Sequence, residues 1–138
     1  MSTVSAQHPA RSLRSRLGAD DGIATLEAAI LAPVLLFATM ALVQSAIYFM
    51  ATTSVTNAAQ IALETARTES SSASVGEGAA TSYLSRQSMV IDPGVSVQRG
   101  PETVTVLATG QAPSLVPFVT LPPIERSIDG PLERVTAP

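Results

Sequence analysis

A glycine and a lone carboxylate bracket the start of the apolar part of this sequence. Gly22 ends a basic leader, and after Glu27 no Asp, Glu, Lys or Arg occurs until Glu64. A cut after Gly22 would give Ile23 a new α-amino group, with Glu27 one helical turn away. A carboxylate in a membrane segment is costly, so it invites a functional explanation. One hypothesis is that Glu27 pairs with that ammonium or with the same group of a neighbouring subunit. The other is that Glu27 lies at the level of the lipid headgroups, in the first turn of the helix, where the helix dipole favours a carboxylate.

Residue types that catalyse reactions are otherwise sparse. His8 is the sole histidine and lies in the leader, so no histidine general base is expected in the mature chain. Cysteine is absent, which excludes disulfides, thiolate nucleophiles and cysteine-based zinc sites. The Ser70–Ser72 run is interpreted as a linker, and the scattered carboxylates as solvated surface: Asp92, Glu102, Glu125 and Asp129.

These observations predict a protein that is not an enzyme and has no cofactor, metal site or small-molecule substrate. The formal net charge of -3 gives no indication of nucleic-acid binding. The chain length allows at most one small domain besides a membrane segment.

The apolar residues concentrate in one segment. Between residues 28 and 43 the only polar side chain is Thr39. About 20 apolar residues cross the roughly 30 Å hydrocarbon core of a bilayer, so the sequence predicts a transmembrane helix over residues 23–51. No arginine follows this segment until Arg67, and three precede it: Arg11, Arg14 and Arg16. The positive-inside rule then predicts a single-pass protein of the cytoplasmic membrane, N-terminus inside and C-terminus outside.

Four segments follow from this assignment. They are a basic cytoplasmic leader at 1–22, expected to be mobile, the transmembrane helix at 23–51, an extracytoplasmic helical stalk with a Ser-rich break at 52–90, and a small β-rich region at 91–138. Pro33 removes one backbone donor within the span and is predicted to kink the helix, as membrane helices tolerate.

The stalk carries a face of small side chains. Four alanines recur there at helical spacing together with Val55 and Leu63: Ala58, Ala59, Ala62 and Ala66. A face of alanine lets another helix approach closely. We therefore expect these alanines to pack against a neighbouring helix.

A second, shorter helix is predicted after the Ser-rich break. Ser74 and Glu77 have the spacing of a capping box. Gly76 and Gly78 weaken this prediction. Val75, Ala79 and Tyr83 would share one face of this helix. Ala80 and Leu84 would lie beside that face. Asp92-Pro93-Gly94 would end the segment with a turn.

The C-terminal region has the alternation of β-strands. Val95 and Val97 alternate with polar residues, as do Val104 and Val106. The residues between them, 99–102, suggest a hairpin, and residues 124–128 suggest a third strand. The predicted fold class is therefore α+β: a long N-terminal transmembrane helix that continues as a stalk, a short helix and a small antiparallel β element.

Residues 21–67 resemble the N-terminal region of the TadE-like family, the minor pilins or pseudopilins of the tight-adherence (Flp) pilus. The likeness lies in Gly22 and Glu27, in the Ala32-Pro33-Val34-Leu35 element, and in the helix from Asn57-Ala58-Ala59 to Ala66-Arg67. The tail is similar to actinobacterial members at residues 104–106, 112–117 and 129–134.

This resemblance implies that a prepilin peptidase cuts between Gly22 and Ile23 and that Glu27 serves processing or subunit docking. The implied partners are the lipid bilayer, the prepilin peptidase, other pilin or pseudopilin subunits and the pilus assembly machinery, with possible incorporation into a surface pilus. Major Flp pilins have tyrosine after the glutamate and little chain beyond the helix. Here Ala28 and a substantial C-terminal region indicate the minor-pilin type. The C-terminal cysteines of some relatives are missing.

Two other readings remain open. One is a secreted protein with an ordinary signal peptide cut near Val43-Gln44-Ser45, although the apolar segment is longer than a usual signal h-region. The other is an uncut, signal-anchored protein of the cell envelope. The mature N-terminus distinguishes all three.

Overall fold

The computed structural model describes residues 14–68, 70–117 and 119–133, and it describes side chains from Thr25 onward. Two helices and three strands follow one another in this part of the chain: α1 (Arg14–Ala66), α2 (Ala73–Leu84), β1 (Ile91–Arg99), β2 (Thr103–Gln111) and β3 (Ile124–Pro131). The predicted α+β architecture is confirmed, with a long N-terminal helix, a short helix and an antiparallel sheet.

Helix α1 is longer than the sequence suggested. It begins at Arg14 rather than at Ile23, so the second half of the leader is helical. Residues 1–13 lie outside the described part of the chain. Pro33 lies inside α1, and the kink remains a prediction.

The chain divides into two compact units, Met1–Thr39 and Met40–Pro138. In the first unit every described side chain, from Thr25 to Thr39, is exposed. Large apolar side chains dominate this surface: Leu26, Ile30, Leu31, Val34, Leu35, Leu36 and Phe37. The most apolar 18-residue stretch of α1 has no buried residue, and the helix is long and apolar enough to cross a membrane. Its surface is suited to lipid or to other apolar helices rather than to water.

The second unit has a core built on the C-terminal half of α1. Six small side chains of the helix are fully buried there: Ala51, Val55, Ala58, Ala59, Ala62 and Ala66. They belong to one apolar cluster with the inward side chains of the sheet. The approach is close, since a Cβ added to Gly110 of β2 would lie 3.1 Å from Val55 Cγ2.

The sheet has the order β1-β2-β3 with both pairs antiparallel. Val106 of β2 is opposite Val97 on one side and Ile128 on the other. Gly100 N donates to Thr103 O at 2.8 Å and closes the first hairpin. The predicted hairpin and third strand are therefore confirmed, with valine side chains turned inward on β2.

The predicted turn at residues 92–94 lies inside β1 instead of before it. Asp92 has φ 48°, and the register of β1 against β2 shifts between Ile91 and Gly94. Aspartate tolerates this left-handed conformation better than most residues. The turn-forming residues thus make a bulge at the start of the strand rather than a loop.

Helix α2 does not use the predicted capping box. Its N-cap residue is Ser72, which makes no side-chain capping bond. The Glu77 carboxylate points to the sheet, where its Oε1 accepts a hydrogen bond of 2.8 Å from Val97 N. Glu77 therefore satisfies a backbone donor of β1, a contact twenty residues along the chain.

The buried face of α2 also differs from the prediction. Gly76, Ala80 and Leu84 are buried, whereas Val75 is exposed. A Cβ added to Gly76 would lie 2.7 Å from Ala62 O and 2.9 Å from Ala66 Cβ. The glycine that weakened the helix prediction is thus the residue that lets α2 lie against α1.

Replacing Glu77 with alanine will destabilise the second unit by about 1–3 kcal/mol, since the Val97 N–H loses a charged acceptor. Chemical unfolding in detergent, followed by near-ultraviolet circular dichroism of the two tyrosines, measures this loss. Glu77→Gln keeps an acceptor oxygen and should retain part of the stability. Equal stability of Glu77→Ala and the native chain would contradict this role.

Candidate functional site

The predicted processing and assembly residues lie on the backbone of α1. Gly22, Ile23 and Glu27 are all within its helical range. Residues four apart lie on one face of a helix, so Ile23 and Glu27 share a face. The Glu27 side chain is exposed, and the side chains of Gly22 and Ile23 lie outside the described part. The helix therefore presents a carboxylate to whatever surrounds it one turn after the Gly22–Ile23 bond.

Polar side chains in the apolar part of α1 are satisfied by the helix itself. Thr39 Oγ1 donates to Leu35 O at 2.8 Å, and Ser45 Oγ donates to Ala41 O at 2.7 Å. Such bonds to the preceding turn let hydroxyl groups enter an apolar environment without an unpaired donor. They leave Glu27 as the polar group of this segment that calls for an external partner.

The alanine face is covered by elements of its own chain. Ala58, Ala59, Ala62 and Ala66 are fully buried, and the chain's own α2 and sheet cover them. The neighbouring helix at these alanines is α2 of the same chain, and the sheet belongs to the same buried cluster. The alanines hold the folded unit together and leave no open face at these positions for subunit packing.

The structure adds a residue that sequence reasoning missed. Gln44 Nε2 donates to Pro113 O at 3.0 Å, and its Oε1 accepts from Leu115 N at 2.7 Å. One amide thus fastens Pro113 and Leu115 of the Pro-rich loop, whose described residues are 112–117 and 119–123, to α1. Beside this contact lies a shallow groove lined by Gln44, Ser45, Tyr48, Leu121 and Pro122. The signal was available, because Gln44 is the only Asn or Gln in the predicted span.

The far end of α1 is tied to the end of the sheet. Arg67 Nε lies 3.1 Å from Glu133 Oε1, and Glu133 N donates to Arg67 O at 3.0 Å. Arg99 donates to the carbonyls of Thr68, at 3.0 Å, and Ser71. These arginines stabilise chain ends and loops, so they give no indication of a binding site.

The scattered carboxylates do not converge. Asp92, Glu102, Glu125 and Asp129 are all exposed, which confirms their interpretation as solvated surface. Across the described residues, no three His, Cys, Asp or Glu side chains lie close enough to hold a metal ion.

Comparison with known families bears on the N-terminal segment. Residues 22–63 match the family model described as TadE-like protein. The chain carries a TadE-like segment. This segment begins at Gly22 and ends near the end of α1, so it includes Glu27 and most of the alanine face. No curated protein and no solved structure matches the chain.

Residues 22–63 are thus similar to a family of structural pilus components, and the match supports a pilus-related, minor-pilin-like role. The TadE-like match stops before α2 and the sheet. The folded unit therefore joins the outer part of the TadE-like helix to a C-terminal region beyond the match.

Proposed function

We propose that this protein is a minor pilin or pseudopilin, held in the cytoplasmic membrane by the inner half of α1 until it takes part in assembly of a tight-adherence pilus. The observation that carries the proposal is the TadE-like match over an apolar helix whose described side chains are exposed from Thr25 to Thr39. The arginines before the span favour an orientation with the N-terminus in the cytoplasm.

In this proposal a prepilin peptidase cuts between Gly22 and Ile23. The start of the TadE-like match at Gly22 supports this position. Because the bond lies inside α1, the helix must open locally before it can be cut. Gly22 eases this opening, since glycine is about 1 kcal/mol less favourable than alanine in a helix.

Cleavage would leave an ammonium group on Ile23, one turn before Glu27. A charged pair in an apolar environment is far less costly than an isolated carboxylate. We propose that Glu27 pairs with such an ammonium, its own or that of an adjacent subunit. Subunit contacts would then use the exposed surface of residues 25–43, since the alanine face is occupied within the chain.

The test is the intact mass and the N-terminal residue of the membrane-extracted protein, made with and without a prepilin peptidase. We expect an N-terminus at Ile23 that depends on the peptidase. Gly22→Leu should block the cut, whereas Gly18→Leu, a glycine change within the same leader, should not.

Other termini would select the alternatives. A full-length chain in the presence of active peptidase would support an uncut, signal-anchored envelope protein. A start beyond Ser45 would indicate a secreted protein with an ordinary signal peptide, and it would refute the membrane-anchored proposal.

A further inference from the structure

The Pro-rich loop, residues 112–123, is unusually apolar for a surface segment. No Asp, Glu, Lys or Arg occurs between Glu102 and Glu125. Leu115 and Val119 are both 48 % exposed. Surface loops are normally polar, and exposed apolar patches mark contact with a partner or a membrane. This loop therefore needs an apolar surrounding that the chain itself does not supply.

Gln44 fixes the position of the loop along α1. Its amide bonds both Pro113 and Leu115, so the loop backbone lies beside the helix at this level. Directly before Gln44, Leu42 and Val43 are 73 % and 45 % exposed. Exposed apolar side chains of α1 thus lie directly beside the residue that holds the loop.

The dimensions of the helix agree with a membrane boundary at Gln44. From Ile23 to Val43 an α-helix rises roughly 30 Å at about 1.5 Å per residue, which matches the roughly 30 Å hydrocarbon core. Ala51, which the sequence placed at the end of the span, is fully buried under the sheet and is not available to lipid. Phe49 and Met50, 71 % and 53 % exposed, lie on the uncovered side just beyond this boundary.

We propose that residues 112–117 and 119–123 form a second membrane contact, in which Leu115 and Val119 enter the interfacial region of the outer leaflet and Gln44 is the positioning residue. The occupant of this surface is lipid rather than protein. The inference rests on the proposed membrane anchoring by α1. In this proposal the folded unit has a defined position on the bilayer surface before the subunit is extracted for assembly.

Tryptophan fluorescence tests the proposal, because the chain has no tryptophan of its own. Single variants Leu115→Trp and Val119→Trp of the full chain are reconstituted in phosphatidylcholine–phosphatidylglycerol vesicles with brominated acyl chains, which quench tryptophans in contact with them. Phe37→Trp reports on the anchor itself. Leu107→Trp is the matched control, since Leu107 is 43 % exposed on the sheet face opposite the core.

We expect strong quenching at positions 37, 115 and 119 and none at position 107. Quenching at 37 but not at 115 or 119 would overturn the loop contact and leave the anchor intact. No quenching at 37 would overturn both. Quenching at 115 that disappears as the protein-to-lipid ratio rises would show that a second copy covers the loop in preference to lipid, which would overturn the assignment to lipid.

The role of Gln44 has its own readout. In the Leu115→Trp background, Gln44→Leu keeps a side chain of similar size but replaces the amide with an apolar group and removes both bonds to the loop, and quenching should fall at least twofold. Ser45→Ala removes a hydroxyl bonded only within the helix and should leave quenching unchanged. Equal quenching in Gln44→Leu and Ser45→Ala would refute the positioning role.

Discussion

Replacing Gly76 with alanine will lower the thermal unfolding midpoint of the folded unit by roughly 5–15 °C, which corresponds to about 1–2 kcal/mol at about 4–8 °C per kcal/mol for a unit of this size. The added methyl group would lie 2.7 Å from Ala62 O and 2.9 Å from Ala66 Cβ. Both atoms belong to a helix that cannot give way, so α2 must move outward. Overpacking of this kind costs about 1–3 kcal/mol, which exceeds the gain in helix propensity.

Gly78→Ala is the matched control on the same helix. A Cβ at Gly78 meets nothing within 4 Å, so only the helix propensity changes, and we expect a gain of up to about 1 kcal/mol. The measurement is thermal unfolding in detergent followed by tyrosine dichroism, because Tyr48 and Tyr83 are the only aromatic chromophores of this type and both lie in the second unit. Stabilisation by both substitutions would contradict the close approach of α2 to α1.

Replacing Glu27 with alanine will leave membrane insertion intact and reduce incorporation into pilus assemblies by roughly 10- to 100-fold, the effect of losing a charge-assisted pair of about 1.5–3 kcal/mol. The carboxylate is exposed on the apolar part of α1, where it has value only if a cationic partner meets it. Co-purification of the variant with pilus subunits from membranes measures the loss.

Glu64→Ala controls for the loss of a carboxylate elsewhere on α1, where the side chain is exposed in the folded unit, and it should assemble normally. The N-terminus of the Glu27 variant separates two functions. A correct start at Ile23 with poor assembly assigns Glu27 to docking, whereas an uncut chain assigns it to processing. Normal assembly of Glu27→Ala would exclude both functions.

Most elements of the fold could be predicted from regular patterns in the sequence. Alternation at Val95 and Val97 and at Val104 and Val106 located the first two strands, since one face of the sheet is buried. Helical spacing identified the alanine face correctly. Its partner was not predictable, because alanine spacing indicates a close approach without showing which element makes it.

The errors came from contacts between residues distant in sequence. Glu77 has capping-box spacing with Ser74, yet its partner is Val97, since a buried strand donor competes successfully with a solvated helix terminus. Gly76 weakened the helix prediction because propensity describes an isolated helix, whereas here it permits contact with Ala62.

Hydropathy alone does not show where the lipid-facing surface of a helix ends. The apolar run continues past Gln44, but Ala51 and Val55 are apolar because the sheet covers them rather than because lipid does. The difference between a lipid-facing and a core-facing helix surface cannot be read from composition. The amide of Gln44, bonded to a loop about seventy residues away, was the one local indication of the change.

The C-terminal strands cover the alanine face, so the face is synthesised well before the elements that bury it. In the proposed orientation, residues 51–66 reach the outer side of the membrane first. Arg126 of β3, whose Nε donates to Thr56 Oγ1, is synthesised seventy residues later. At a synthesis rate of about 5–20 residues per second, the helix remains uncovered for roughly 4 to 14 seconds. A stripe of valine or leucine would aggregate in that interval. Alanine is the least apolar aliphatic side chain that still permits close packing, so it lowers the risk of aggregation while the face is uncovered.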